Sequence, residues 1–201
     1  MKNKLVIIGC GGHARSVADV YLSNIPDAEL LFIDEEAKKN ETIFNFPILR
    51  EYNFSNEKFF FGIGNNEKRA LKNQYYTHCN NLETIVSKNS YLGKNSFLEK
   101  GVFVAHNAHI GPESRIGYNS IVNTSASLDH EVMIGNNCHI APNSTICGRV
   151  QISNNVFIGA GVVIIDKVKI CEQVTIGAGS LVLKDITEPG VYVGNPIRKI
   201  K

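Results

Sequence analysis

The sequence predicts a small α/β half-domain of Rossmann type followed by a parallel β-helix of six-residue repeats, and three observations carry that expectation. Every sixth residue from Val86 to Val182 is aliphatic, at seventeen positions without exception. Four residues after each stands a small or β-branched side chain, from Ser90, Ser96, Val102 and Ala108 onward to Ser180. Residues 1–80 lack this period and alternate continuous apolar runs with stretches of helical spacing. A fixed period decides architecture before local propensity does.

The amino-terminal elements follow in order. Lys4-Leu-Val-Ile-Ile8 is a short apolar strand that runs into Gly9-Cys-Gly-Gly-His-Ala14, and Val17, Val20 and Tyr21 continue with helical spacing. A second strand spans Leu30 to Asp34, a third stretch Ile48 to Tyr52, and a fourth Phe59 to Gly64. A polar helix is expected from Glu67 to Tyr76. Continuous apolar strands alternating with helices indicate a parallel sheet covered on its faces. The composition changes at about Thr77–Leu82, which divides residues 1–80 from residues 81–201.

In the second part, three six-residue units per turn make a triangular prism with 18 residues per coil. Residue i then lies over residue i+18, about 4.8 Å away at ordinary strand spacing. The aliphatic residues fill the interior, and the small residues fit where the faces converge. The repeat alone describes a rod, so function must be sought in departures from it. Histidines gather at or beside the corners: His106 and His130 two residues after an aliphatic position, His109 and His139 one before.

Composition excludes several classes. The net charge of +2 is built from both signs, which speaks against a nucleic-acid surface or a polybasic membrane patch. Lys2 and Lys4 precede four apolar residues before glycine, too few for a signal-peptide core, and no apolar stretch reaches membrane-spanning length. Five cysteines form no CxxC pair. Cys138, Cys147 and Cys171 are expected as small buried hydrophobes in a reducing cytoplasm.

Two segments carry chemistry. Gly9-Cys10-Gly11-Gly12-His13-Ala14 is a G-x-G-x-x-A pattern between strand and helix. Such glycines let backbone N–H groups approach a phosphate at a helix N-terminus. Asp34 ends the next strand, where an acid can hold a ribose hydroxyl. With only about eighty residues in the unit, a mononucleotide or nucleotide-sugar is expected rather than NAD; alternatively, the glycines merely close a tight turn. The other segment is Asn123-Thr-Ser-Ala-Ser-Leu-Asp-His-Glu131. His130 has acids on both sides, and an imidazole oriented by a carboxylate is suited to general-base catalysis. Gly148 falls one coil beyond His130 on the same edge, leaving room for a ligand and a backbone N–H exposed. The plainer reading makes His130 a solvated corner residue.

A hexapeptide coil preceded by an α/β unit with G-x-G-G-H, and carrying N-T-x-x-x-x-D-H-E, resembles bacterial sugar acyltransferases of the NeuD/PglD type, over Lys4 to Ile200. The resemblance implies a left-handed β-helix, a homotrimer, and acetyl-CoA in the groove between neighbouring coils. It implies that the amino-terminal unit holds the uridine nucleotide of the acceptor. It makes His130 the base and Glu131 the acid that orients it, and turns Asn123 toward the sugar from the adjoining subunit. His139 and Gly148 would contact the thioester end of acetyl-CoA, and Gly11, Gly12, His13 and Asp34 the nucleotide. The tail Gly190-Val-Tyr-Val-Gly-Asn-Pro196, with Gly194 and Pro196, resembles the segment closing over the coenzyme. No metal is expected. The implied activity is N-acetylation of a UDP-linked amino sugar for surface glycan or glycoprotein biosynthesis, or else O-acetylation of a sialic acid. Two other classes fit less of the chain. One is a zinc enzyme of the gamma carbonic anhydrase kind using His106, His109 and His139, which would lack the amino-terminal unit. The other is a non-catalytic scaffold.

Overall fold

The computed structural model describes residues 3–54, 56–76 and 79–201. The amino-terminal unit contains β1 (Lys4–Ile8), α1 (Gly12–Asn24), β2 (Glu29–Ile33), β3 (Thr42–Ile43), β4 (Phe46–Leu49), β5 (Lys58–Phe61) and α2 (Asn66–Tyr75). The sheet order is β3-β4-β2-β1-β5, with every pairing parallel except β3 with β4. The apolar runs of β1, β2 and β5 are buried on both faces, as a covered parallel sheet requires. The stretch expected from Ile48 to Tyr52 is corrected to β4, the second arm of a hairpin. Phe44 and Asn45 turn that hairpin at φ +51° and +66°, the left-handed pair that suits a two-residue connection. A phenylalanine at positive φ gives no such signal in sequence.

Gly62 lets α1 close on the sheet, since a Cβ there would stand 2.7 Å from Ala14 Cβ. Of the boundary stretch Thr77–Leu82, Thr77 and His78 lie outside the described residues. Leu82 makes a parallel bridge to Phe59, extending the sheet edge before the coil begins at Ile85–Val86.

The coil has three flat faces. The first runs from Ile85–Val86 through Phe103–Val104, Ile121–Val122, His139–Ile140 and Phe157–Ile158 to Val174–Ile176. The second runs from Tyr91–Leu92 to Leu181–Val182, and the third from Phe97–Leu98 to Lys169–Ile170. Within these spans strands pair in parallel with the residue eighteen further on, as in His109 with Ser127 and Gln151 with Lys169. The stack continues through Ile186, which bridges Ile170, without an inserted loop. Every sixth residue from Asn95 to Gly179 turns a corner at φ between +54° and +74°. The frequent Asn and Gly there are the residues that tolerate that region.

The aliphatic stripe forms the core, and Ser114, Ser120 and Ser144 are buried beside it. Their hydroxyls donate to the carbonyls of Asp129, Gly135 and Gly159 in the next coil, which removes the cost of burying them. Leu92 departs from the stripe, being 41% exposed, because the open end of the prism has no coil beneath it. Cys138 is buried as expected, whereas Cys147 and Cys171 follow an aliphatic position, point toward a corner and are only half-buried.

The amino-terminal unit packs on the first face, where Phe103, Ala105 and Ile121 join the core of its sheet. Polar contacts fix the seam. Asn24 holds the main chain of Val86 and Lys88, Asn66 donates to the Val156 carbonyl, and the Tyr118 hydroxyl donates to Asn73.

Candidate active site

The corner between the second and third faces presents His130. Asp129 Oδ1 accepts the His130 N–H at 2.7 Å, and His130 Nδ1 stands 2.9 Å from Glu131 Oε2. A carboxylate only accepts, so Nδ1 carries the proton and Nε2 keeps its lone pair. Glu131 occupies the left-handed corner position at φ +58°, which turns its carboxylate back onto the preceding ring. The His130 side chain is 40% exposed at this edge, with Asp129 Oδ2 at 4.0 Å from Nε2.

Gly148 does stand one coil above, but the room it leaves is used differently from the expectation. A Cβ at Gly148 would lie 2.6 Å from both Cε1 and Nε2 of His130. The imidazole itself fills the space reserved for a ligand. The Gly148 N–H makes no hydrogen bond among the described residues and remains free to donate. Asp166, one coil higher, is held by two nitrogens of Arg149 at 3.1–3.3 Å, a pair that sequence reasoning missed.

The glycine loop is open. A Cβ at Gly11 or Gly12 would meet nothing within 4 Å, so packing does not demand glycine at either. Gly9 is different: its φ of +105° requires glycine. Helix α1 starts with no side-chain cap and no acid in its first turn, leaving its N-terminal N–H groups to face outward. Asp34 closes the loop from the side, accepting from Cys10 N at 3.1 Å and Glu36 N at 3.1 Å. Burial, followed by the bond to Asp34, pushes the Cys10 thiol up to about 11, so it is no nucleophile.

His13 follows the glycines but turns inward, packing edge-on against Phe103 at 5.1 Å and 6.0 Å from the His139 ring. His139 lies on the first face, not on the edge of His130 and Gly148. Its Nδ1 bonds the Gly64 carbonyl at 2.9 Å and its Nε2 meets Asn123 Nδ2 at 3.1 Å. The chain thus brings together two groups, His130–Glu131–Gly148 and His13–His139–Asn123, on different sides of the prism. It does not join His139 to Gly148. Gly194 and Pro196 belong to a terminal hairpin, in which Gly190–Val193 pairs with Arg198–Lys199. Gly194 N–H donates to Ser180, and Leu181 N–H to the Gly194 carbonyl, which fixes the hairpin on the last coil.

Burial lowers His13 to about 3 and His139 to about 4 from the ordinary 6.5. Both are neutral in the folded protein at pH 7, whereas the unfolded chain binds their protons near pH 6.5. Stability is therefore expected to fall as pH drops from 6.5 toward 4, by up to about 1.4 kcal/mol per pH unit for each histidine. Denaturant midpoints at pH 7 and pH 5 measure this, and His139→Phe should flatten the slope. An unchanged midpoint contradicts the burial.

Among the described residues no group of three His, Cys, Asp or Glu is placed to hold a metal ion. His106 and His139 have both nitrogens engaged, the former by Ser87 and Asp19, and His109 stacks on Tyr91. No helix among the described residues is long and apolar enough to cross a membrane.

The coil is that of a hexapeptide-repeat acyltransferase. The family model described as bacterial transferase hexapeptide (six repeats) matches residues 149–184, and that described as PglD N-terminal domain matches residues 4–74. Residues 4–74 thus match the amino-terminal domain of PglD, and residues 149–184 match the hexapeptide repeat that builds a left-handed β-helix in bacterial transferases. The acetyltransferase domain of PglB from Neisseria gonorrhoeae superposes with a TM-score of 0.93 at 24% identity, covering 99% of this chain and 100% of that one. PerB from Caulobacter crescentus, in complex with CoA and GDP-perosamine, is 27% identical with a TM-score of 0.85, covering 98% of this chain and 97% of that one. No curated protein sequence matches the chain.

Proposed function

We propose that the chain transfers the acetyl group of acetyl-CoA to the amino group of a UDP-linked amino sugar, with His130 as general base. The observation that carries this reading is the 2.9 Å bond from His130 Nδ1 to Glu131, which leaves Nε2 bare at the coil edge. The amine attacks the thioester carbon while Nε2 takes its proton. The C–S bond then breaks, and the imidazolium returns the proton to the departing thiolate. Glu131 stabilises the imidazolium, and the free Gly148 N–H meets the oxyanion; such a donor is worth about 3 kcal/mol. Residues 1–80 bind the nucleotide and residues 81–201 perform the transfer. Similarity to PerB, described with GDP-perosamine, supports an amino-sugar nucleotide as acceptor class. Incubation with acetyl-CoA and a panel of UDP-amino sugars and sialic acids, read by free CoA, tests the assignment; release only with sialic acids overturns it.

Gly12→Asp and Asp34→Ala are expected to raise the acceptor KM while sparing that of acetyl-CoA. Open space at Gly12 accommodates the carboxylate, and a negative charge there favours the helix N-terminus. The loss is therefore one of phosphate binding rather than folding. Removing Asp34 frees the Cys10 N–H and slackens the loop. Both sites contribute binding that is uniform between ground and transition states, so kcat stays. Equal KM values for both variants and the parent would exclude a nucleotide at this loop.

The edge that carries His130 lies open, its side chain 40% exposed. It borders a broad open face lined by Glu113, Arg115, Met133, Arg149 and Lys169. A neighbouring prism would enclose such a base and exclude water, and the resemblance implies three-fold symmetry, so the active form we propose is a homotrimer. Light scattering at micromolar concentration should report three chains. A fully active monomer refutes this.

A further inference from the structure

A chain of hydrogen bonds crosses the seam between the two units, from a buried cation to Asn123. Arg69 of α2 is fully buried. Its Nε donates to the Asn119 carbonyl at 2.9 Å and one terminal nitrogen to Cys138 O at 3.1 Å, both in the coil. The other reaches the carbonyls of Ile63 and Gly64 at 3.0 and 3.3 Å, and Asn66 Oδ1 completes the set at 2.9 Å. The Gly64 carbonyl also accepts from His139 Nδ1. A carbonyl only accepts, so Nδ1 carries the proton and Nε2 is an acceptor. Asn123 must then turn its NH2 toward Nε2, and its Oδ1 accepts the Thr124 N–H at 2.8 Å. The amide is held at both ends and presents one remaining N–H.

We propose that Arg69 and His139 are positioning residues for the acceptor: they fix which atom of Asn123 is offered to the sugar. This rests on the reading that Asn123 faces the acceptor. It departs from the role that resemblance assigned to His139, because both of its nitrogens are occupied and Phe157 covers the ring edge-on at 5.3 Å. The arrangement also links the loop after β5, beside the glycine turn, to the coil, so the nucleotide unit and the acceptor-facing amide are placed by one cation.

Two measurements on the full-length protein test this. Imidazole 15N NMR, with the His139 signal identified by its loss in His139→Phe, should show the Nδ1–H tautomer at pH 7. A dominant Nε2–H tautomer overturns the proposal whatever the acceptor. Steady-state kinetics of His139→Phe, which keeps ring volume and loses both hydrogen bonds, should show the acceptor KM raised about tenfold. The acetyl-CoA KM and kcat should remain within about twofold. A raised acetyl-CoA KM with the acceptor KM unchanged gives His139 back to the coenzyme and overturns the proposal. Arg69→Lys keeps the charge but not the fork of donors, and should shift the acceptor KM in the same direction. If that variant does not fold, His139→Phe decides alone. The kinetics use whichever acceptor the wild-type protein acetylates, so failure with UDP-amino sugars counts only against the proposed function.

Discussion

His130→Ala is expected to lower kcat by at least about 10², the smallest contribution of a well-positioned general base. The acetyl-CoA KM should barely change, because the base acts on the acceptor's proton and not on the coenzyme. Folding should be unaffected, since the side chain is 40% exposed and carries no core contact. Glu131→Gln provides the companion measurement. It retains a hydrogen-bond acceptor for Nδ1–H but removes the charge that stabilises the imidazolium, so an intermediate loss of about tenfold is expected. Activity of His130→Ala within about threefold of the parent is incompatible with general-base catalysis at this residue.

Gly148→Ala is expected to be nearly as damaging, with little cost in stability. The added methyl carbon would stand 2.6 Å from Cε1 and Nε2 of His130 and 3.2 Å from Asp166 Oδ1. The obstructing atoms are the far end of a half-exposed side chain, so the imidazole swings away and the backbone need not move. Unfolding free energy should therefore change by less than about 1 kcal/mol. A displaced base loses alignment, and misplacement of about 1 Å can cost on the order of 10² in rate. Equal loss of stability and activity would mean that the coil, rather than the base, absorbs the clash. His130→Ala combined with Gly148→Ala should lose no more than His130→Ala alone, because a missing imidazole cannot be displaced.

Much of the fold was legible because the coil is periodic. Val86 to Val182 fixed the prism, the 18-residue register and the interior stripe, and each is determined by which residues must leave water. The Asn and Gly corners were not singled out from the sequence, and their left-handed φ emerged only with the backbone. The β3–β4 hairpin was not legible, since its turn is made by Phe44 and Asn45 and only the neighbouring sheet compels a phenylalanine into that region. Leu92 misled for a related reason: a repeat does not mark where the stack ends.

For the site, sequence alone singled out the His130–Glu131 adjacency, because neighbouring corner residues interact locally. It also singled out the open glycine loop with Asp34 beside it, because strand, turn and helix form one short segment. Contacts across the seam between the units were decided by tertiary structure. Arg69 reads as an ordinary charge on a polar helix, yet it is buried where carbonyls from two units converge. His139 and Gly148 share a motif neighbourhood but point from different faces, and the space above Gly148 belongs to His130. The physical reason is range. Periodicity and adjacency encode what a residue does within its own coil, whereas the partners of Arg69, His139 and Gly148 come from segments whose distance in sequence says nothing of their meeting.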